Sequence, residues 1–335
     1  AQRAAPLHDS NRGEWMKVLV TGATGLVGTA LIKSLVRDGH SVCRLVRRES
    51  VAPKKGSKKK DETAPSADPR VVDVPWDPEA SDGLSLADSQ GTIAGAEAVV
   101  NLAGASVAGG KWTQQRKMVL RASRVKTTMA LVNALAKLKA RPKVLVSASA
   151  VGFYGDRGDE TLTEESKAGE GFLPKVSLDW EAEARKAEAL GMRVVLTRFG
   201  IILAKQGGAL PQMMKPFQFF VGGKLGSGRQ WMSWVTLEDV IGVIRWALEN
   251  DGVSGVVNVV SPKPVRNEEF TRELGKAMHR PGVFTAPAFA LRMAMGEEMA
   301  DSMLLASERV LPGRLKEMGF GFQHESLGDA LASIL

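Results

Sequence analysis

Gly22, Gly25 and Gly28 stand three apart in "VTGATGLVG", between a short β-rich run and a stretch of helical periodicity. Glycines so placed let the chain turn tightly, bring backbone N–H groups against a pyrophosphate, and let a helix pack close to a strand. The helix N-terminus then favours the phosphate charge. Thr21, Thr24, Leu26 and Val27 complete the turn and join the candidate contacts. Taken alone, such a spacing also fits a purely structural turn. Opening a series of strand–helix units, it points to a dinucleotide.

Two further groups could do chemistry. "SASAVGFYGDRGDE" (residues 147–160) holds Ser149 and the chain's only tyrosine, Tyr154. A serine there would hold a substrate oxygen, and a tyrosine would exchange a proton. At the end of the second apolar run, "RLVRRES" places Arg47 and Arg48 where NAD-binding folds usually carry an acidic residue for the ribose hydroxyls. A guanidinium suits a 2′-phosphate better. The expected cofactor is therefore NADP(H), with Arg48 equally readable as a surface arginine.

The elements that position these groups are legible. "KVLV", "SVCRLVRR", "RVVDV", "AEAVVNLAG", "KVLVSAS" and "RVVLTRFGIIL" read as six strands. Helical stretches lie between several of them, including residues 114–138 and "PKVSLDWEAEARKAEALG", which stops at Gly191. Alternation of this kind predicts an α/β fold, a Rossmann-type doubly wound parallel sheet. After Gly207 the rhythm changes. "TLEDVIGVIRWALEN" reads as a Thr-capped helix, "GVVNVV" as a strand and "PVRNEEFTRELGKAM" as a helix, and the tail is mostly helical by pattern. The expected division is an extension over 1–15, a nucleotide-binding domain over 16–206 with an insertion at 51–70, a smaller mixed α/β part over 207–279, and a helical segment over 280–335.

Composition bounds the rest. Apolar residues make up 44% and charged residues 24% of 335, ordinary for a globular chain. No apolar run is long enough for a membrane span. Residues 51–70 carry a net +3 of the formal +8. They lie in a Pro/Ser/Ala/Lys stretch without aromatics or apolar period, which argues for a solvated loop against a nucleic-acid site. Cys43 is the only cysteine, so no intrachain disulfide forms, and its apolar neighbours place it in the core. Four histidines without close pairing speak against a structural zinc site. The lead before Met16 is basic and rich in small residues, as the remnant of an organellar transit peptide would be, or an addition of no such meaning.

"NLAGASVAGGKWT", "SRVKTT", "FLPKVSLDWE", "GGALPQMM", "GSGRQWMSWV", "SPKPVRNEEF" and the tail "HRPGVFTAPAFALRMAMGEE" to "LLASERVLPGRLKEMGFGF" occur in order. From Met16 to about the C-terminus the chain resembles the atypical short-chain dehydrogenase/reductases, in the group of epimerase family proteins called SDR39U1-like or YfcH-like. The resemblance implies NADP(H) and a small-molecule substrate that is unassigned. It places Leu102, Ala103 and Gly104 at the cofactor, Arg124 on the central helix beside it, and Arg198 and Ile202 near the nicotinamide. Plain core packing is an equal reading for Ile202. An organellar member, in the chloroplast stroma or else the mitochondrial matrix or cytoplasm, would carry such a lead.

Ordinary members of that superfamily pair a tyrosine with a lysine four residues on, so that both share one helix face. The lysine helps the tyrosine exchange a proton. Here Leu173 with Ser177, or Val176 with Trp180, fills those places. Tyr154 is followed four residues on by Gly158, in a turn, so it lines a pocket or packs with its hydroxyl bonded. Lys175, Asp179, Glu181, Asp156, Arg157 and Glu160 are the other proton-carrying candidates nearby, and Trp112, Trp231 and Trp234 form an aromatic wall or lie in the core. Two readings of function follow. One is an oxidoreductase or epimerase with altered proton chemistry. The other is a non-catalytic NADP(H)-binding regulatory or scaffold subunit of an organellar assembly.

Overall fold

The computed structural model describes residues 15–46, 68–79 and 91–335. Seven strands form one wholly parallel sheet: β1 (Lys17–Thr21), β2 (Ser41–Val46), β3 (Val71–Pro75), β4 (Ala98–Asn101), β5 (Val144–Ala150), β6 (Arg193–Phe199) and β7 (Gly255–Val259). Their order is β7-β6-β5-β4-β1-β2-β3. Chain progression reverses direction at β1, which has β2 on one side and β4 on the other. The crevice at the C-terminal ends of these strands is where such sheets bind ligands.

Continuous Val/Leu/Ile runs form the strands because both faces are covered. On one face lie α1 (Leu26–Arg37) and α5 (Leu237–Glu249); Leu31 and Leu35 pack there with Val240, Val243 and Ile244. On the other lie α2 (Gln114–Ala136) and α3 (Phe172–Arg185), burying Leu131, Leu135 and Ala184. Cys43 belongs to this second core, and burial pushes its thiol pKa up. The end of α3 tightens into a 3₁₀ turn, and Gly191 follows in the left-handed region with φ 80°. Thr236 caps α5, its side chain accepting from the Asp239 N–H.

Two features depart from the expected strand pattern. The sixth strand does not run through "RVVLTRFGIIL". Gly200 breaks it, because a Cβ there would run into the Ser233 carbonyl oxygen. Ile201–Leu203 then leaves the sheet and pairs in parallel with Trp234–Thr236. The sheet also gains β7 from beyond residue 206, paired in parallel with β6. A third apolar core joins α4 (Leu210–Gln218), α6 (Asn267–Met278) and the terminal helix Leu327–Ile334. The tail reaches back to the sheet's ligand end through Arg309–Val310, which pairs with Thr161–Leu162. No helix among the described residues is long and apolar enough to cross a membrane.

Candidate functional site

The glycine turn links β1 to α1. Gly22 has φ 64°, and a Cβ there would lie 2.5 Å from the Leu102 carbonyl oxygen. The turn and the end of β4 are thus backbone against backbone. Gly28 is closed by the turn itself, since its Cβ would strike the Gly22 carbonyl. Gly25 is the N-cap of α1 with extended geometry and no side-chain cap, so the first N–H groups of the helix lack a side-chain partner there. Thr21 lies fully buried beneath. Its Oγ1 donates to Asn101 Oδ1 at 2.7 Å and accepts from the Leu102 and Ala103 N–H groups at 3.1 and 3.2 Å.

A cleft of 490 Å³ opens above this turn. Gly22, Gly25, Leu26, Val27 and Gly28 form one end, with Leu102, Gly104 and Arg124 alongside. Ser149 of β5 and Ile202 lie further along it. Of the remaining expected contacts, Thr21 and Ala103 support the cleft from behind. Thr24 lies on a neighbouring groove of 1220 Å³ that shares Gly25 and Leu26 with the cleft. Arg47 and Arg48 lie outside the described residues.

Arg124 projects from α2 with its guanidinium over the Trp180 ring, 5.4 Å from the centroid, and donates to the Leu120 carbonyl at 3.1 Å. No carboxylate pairs with it among the described residues. Burial first, and the charge of Arg116 second, lower its pKa to about 10. An anionic ligand group would relieve that desolvation. A Cβ on Gly104 would meet this guanidinium at 3.2 Å, so Gly104 leaves Arg124 its room.

The α3 face toward the cleft is Phe172, Leu173, Val176, Ser177 and Trp180. Both helical pairs that could have carried Tyr and Lys are therefore at the cleft and carry neither. Trp180 instead donates its indole N–H to Thr128 Oγ1 at 2.9 Å, and Asn101 Nδ2 donates to the same oxygen at 2.9 Å. A buried ladder Thr21–Asn101–Thr128–Trp180 runs under the cleft in place of an ionisable pair.

Two expected site residues turn away from the cleft. Arg198, on β6, is buried and grips Glu181 bidentately, Nε to Oε1 and Nη2 to Oε2 both at 2.8 Å. Its guanidinium stacks on Phe153, 3.3 Å from the ring centroid. The pair is buried, and Arg198 does not line the cleft. Tyr154 is fully buried in the same network. Its hydroxyl accepts from Arg198 Nη1 at 3.0 Å and donates to Asn258 Oδ1 at 2.7 Å. Burial pushes its pKa up, with Arg198 pulling the other way. Glu181 connects this network to the cleft, because Ser149 Oγ donates to Glu181 Oε1 at 2.6 Å.

The other candidates separate by partner. Asp179 pairs with Arg121, and Arg157 with Glu160, near solvent. Trp234 is core, Trp231 lies under the Arg266 and Arg309 guanidinia, and Trp112 packs on Phe172. None of the three tryptophans lines the cleft. One residue went unsingled by sequence. Glu308 reaches the cleft from the tail, its neighbour Ser307 held by Asp156, whose Oδ1 accepts the Ser307 N–H at 3.1 Å. Burial first and the Asp156 carboxylate second raise its pKa to about 8. Its only sequence signal was the glutamate in "ASERVLP", inside a segment that read as helix.

Comparison with known proteins agrees with this architecture. Residues 18–260 match the NAD dependent epimerase/dehydratase family, and residues 286–334 a domain of unknown function, DUF1731. An epimerase family protein of Mycobacterium bovis is 39% identical, over 94% of this chain and 96% of its own length. The Arabidopsis thaliana "Epimerase family protein SDR39U1 homolog, chloroplastic" is 36% identical over 100% of this chain and 91% of its own length. A crystal structure of the human epimerase family protein SDR39U1 with NADPH is 31% identical, with a TM-score of 0.80 over 95% of this chain and 99% of that one. The chain belongs to the NAD dependent epimerase/dehydratase family, in its SDR39U1-like group of atypical short-chain dehydrogenase/reductases.

Proposed function

We propose that the protein binds NADP(H) in the cleft above the glycine turn and acts as an oxidoreductase or epimerase on a small substrate, without a tyrosine–lysine relay. The observation that carries the reading is the junction of the Gly22 turn with Leu102 and Arg124. Backbone N–H groups at the start of α1 and a guanidinium that no carboxylate pairs among the described residues border the same cleft, a donor set suited to a diphosphate. The human relative solved with NADPH supports the phosphate-bearing cofactor. Arg47 and Arg48 support the same choice from sequence.

When bound, the nicotinamide ring supplies or accepts a hydride. Gly22 and Gly28 set the turn, Arg124 neutralises charge, and Trp180 and Val176 exclude water from the α3 side. Ser149 orients a substrate oxygen. Its one hydrogen is given to Glu181, so its Oγ meets the substrate as an acceptor, for the hydroxyl of an alcohol substrate or product. The chloroplastic Arabidopsis relative supports a plastid setting.

A second reading, a non-catalytic NADP(H)-binding regulatory or scaffold subunit, is favoured by one observation: α3 presents only Phe172, Leu173, Val176, Ser177 and Trp180 to the cleft. Incubation with NADPH deuterated at C4 and a panel of ketones, aldehydes and nucleotide sugars separates the two. Deuterium in any product supports the enzyme. Tight NADPH binding with no label transferred across the panel, and no epimerisation of the nucleotide sugars when NADP⁺ is supplied, would leave the scaffold.

A further inference from the structure

Among the described residues lining the cleft, only Arg124 and Glu308 are ionisable. They occupy different parts of it. Arg124 stands with Gly104 near the glycine turn. Glu308 lines the same cleft, and its carbonyl is bonded by the Oγ of Ser233, the residue whose own carbonyl abuts Gly200 at the end of β6. The crevice outside these strand ends is where such sheets bind ligands.

Glu308 is held there by its backbone. Its N–H donates to the Trp231 carbonyl at 3.1 Å, and its carbonyl accepts from Ser233 Oγ at 2.7 Å. The following pair, Arg309–Val310, is tied to Thr161–Leu162. No hydrogen bond among the described residues engages the Glu308 carboxyl. The other acids in the region are all engaged: Glu181 by Arg198 and Ser149, Asp159 by Trp231 and Arg266, and Glu164 by the Asn258 N–H. A fixed backbone with an unengaged acid facing a cleft is an arrangement for exchanging a proton with a ligand.

We propose that Glu308 is the catalytic acid and base of this cleft, supplied by the C-terminal segment in place of the tyrosine. The proposal rests on the NADP(H) reading above. In the reductive direction bound NADPH would supply a hydride to the carbonyl carbon. The C=O π pair moves to oxygen, and that oxygen takes the proton of the Glu308 carboxyl. The substrate is reduced by two electrons to an alcohol, the dinucleotide is oxidised by two, and Glu308 is left as a carboxylate that takes a proton back from water. The reverse direction uses the carboxylate as base. A pKa near 8 keeps the acid form populated at neutral pH.

The charges around Glu308 set the direction of its titration. Asp156, on the turn after β5, opposes its ionisation. Arg124 lies elsewhere along the cleft on α2. Glu181 and Arg198, from α3 and β6, form a neutral pair behind Ser149. Arg309, next in the chain, directs its guanidinium over Trp231 at 4.6 Å. An ionised Glu308 attracts the cationic ring of NADP⁺ and not the neutral ring of NADPH. The ratio of NADP⁺ to NADPH affinity should therefore rise with pH as Glu308 loses its proton.

The test is the dissociation constants of NADP⁺ and NADPH, measured by calorimetry from about pH 6 to about pH 9.5 on the wild-type chain, Glu308→Gln and Asp156→Asn. The ratio cancels the titration of the phosphates that both nucleotides share. The wild type should favour NADP⁺ increasingly, by roughly tenfold across the transition, the size expected for one charge a few ångströms away in a partly solvated cleft. Glu308→Gln should show a flat ratio. Asp156→Asn, outside the cleft lining, should move the transition to lower pH. A ratio independent of pH in the wild type, or a transition that survives in Glu308→Gln, overturns the proposal while leaving cofactor binding intact. If the wild type binds neither nucleotide, the cofactor reading fails, and this proposal with it.

Discussion

Ser149 Oγ donates to Glu181 Oε1 at 2.6 Å, and Arg198 clamps the same carboxylate at 2.8 Å through two nitrogens. The serine at the cleft is thus the outermost member of a buried ionic network that ends at Tyr154 and Asn258. Tyr154 lies in the interior and not at the cleft. It keeps company with a guanidinium there, but as a structural partner bonded on both sides of its hydroxyl.

That network should be costly to break on one side only. Arg198→Met leaves the Glu181 carboxylate buried with Ser149 as its remaining partner, so a loss of about 3–5 kcal/mol is expected in denaturant unfolding. Pairing it with Glu181→Gln should cost less than the sum of the two single changes, because the stranded charge is gone.

Tyr154→Phe should separate stability from binding. It strands Asn258 Oδ1 and one Arg198 N–H, for an expected loss of about 1–3 kcal/mol. NADPH affinity should stay within about twofold of wild type, since Tyr154 does not touch the cleft. A large loss of affinity at unchanged stability would return the tyrosine to the site.

Glu308 should leave a mark on stability as well as on binding. Its pKa rises from 4.5 to about 8 on folding. Between those values the folded chain holds a proton that the unfolded chain has released, so stability falls as pH rises through the window. Glu308→Gln removes this slope. The variant should match the wild type near pH 4 and exceed it above pH 8 by about 1–3 kcal/mol, discounted for the residue's partial exposure. Thermal unfolding at the two pH values checks it.

Gly28→Ala tests the turn. The added methyl would strike the Gly22 carbonyl, and the backbone there cannot yield without moving the start of α1. A loss of about 1–3 kcal/mol is expected, with weakened nucleotide binding. Wild-type stability and affinity would contradict the close packing.

The sheet was legible because its strands are short apolar runs rich in Val and Leu, several of them ending near a glycine, and because α1 and α3 are followed by the glycine stops Gly39 and Gly191. The break at Gly200 was not, since it depends on the Ser233 carbonyl, more than thirty residues away. β7 was read as a strand, but its place beside β6 is a matter of topology. At the site, the glycine turn could be read from local spacing, and Arg124 only from the family resemblance. The inward turn of Arg198 could not, because Glu181 read only as one of several proton-carrying candidates nearby. Glu308 was hidden for a related reason. What makes it matter is the pairing of Arg309–Val310 with Thr161–Leu162, which brings a tail residue to the strand ends.

NADPH binding to the wild type and to Gly25→Asp, measured by calorimetry beside a thermal melt, tests the cleft most directly. Gly25 is the N-cap of α1 with φ −76° and ψ 170°, a position that accepts aspartate well. Its Cβ would meet only the Gly22 carbonyl, at 3.3 Å, so a small adjustment suffices and the fold should keep its melting temperature. The new carboxylate would occupy the ground the diphosphate needs. The predicted result is one NADPH site per wild-type chain and an affinity lower by about 100-fold or more in a fully folded Gly25→Asp, as expected for a negative charge set against a diphosphate. A folded Gly25→Asp that binds NADPH like the wild type would contradict the assignment of the cleft.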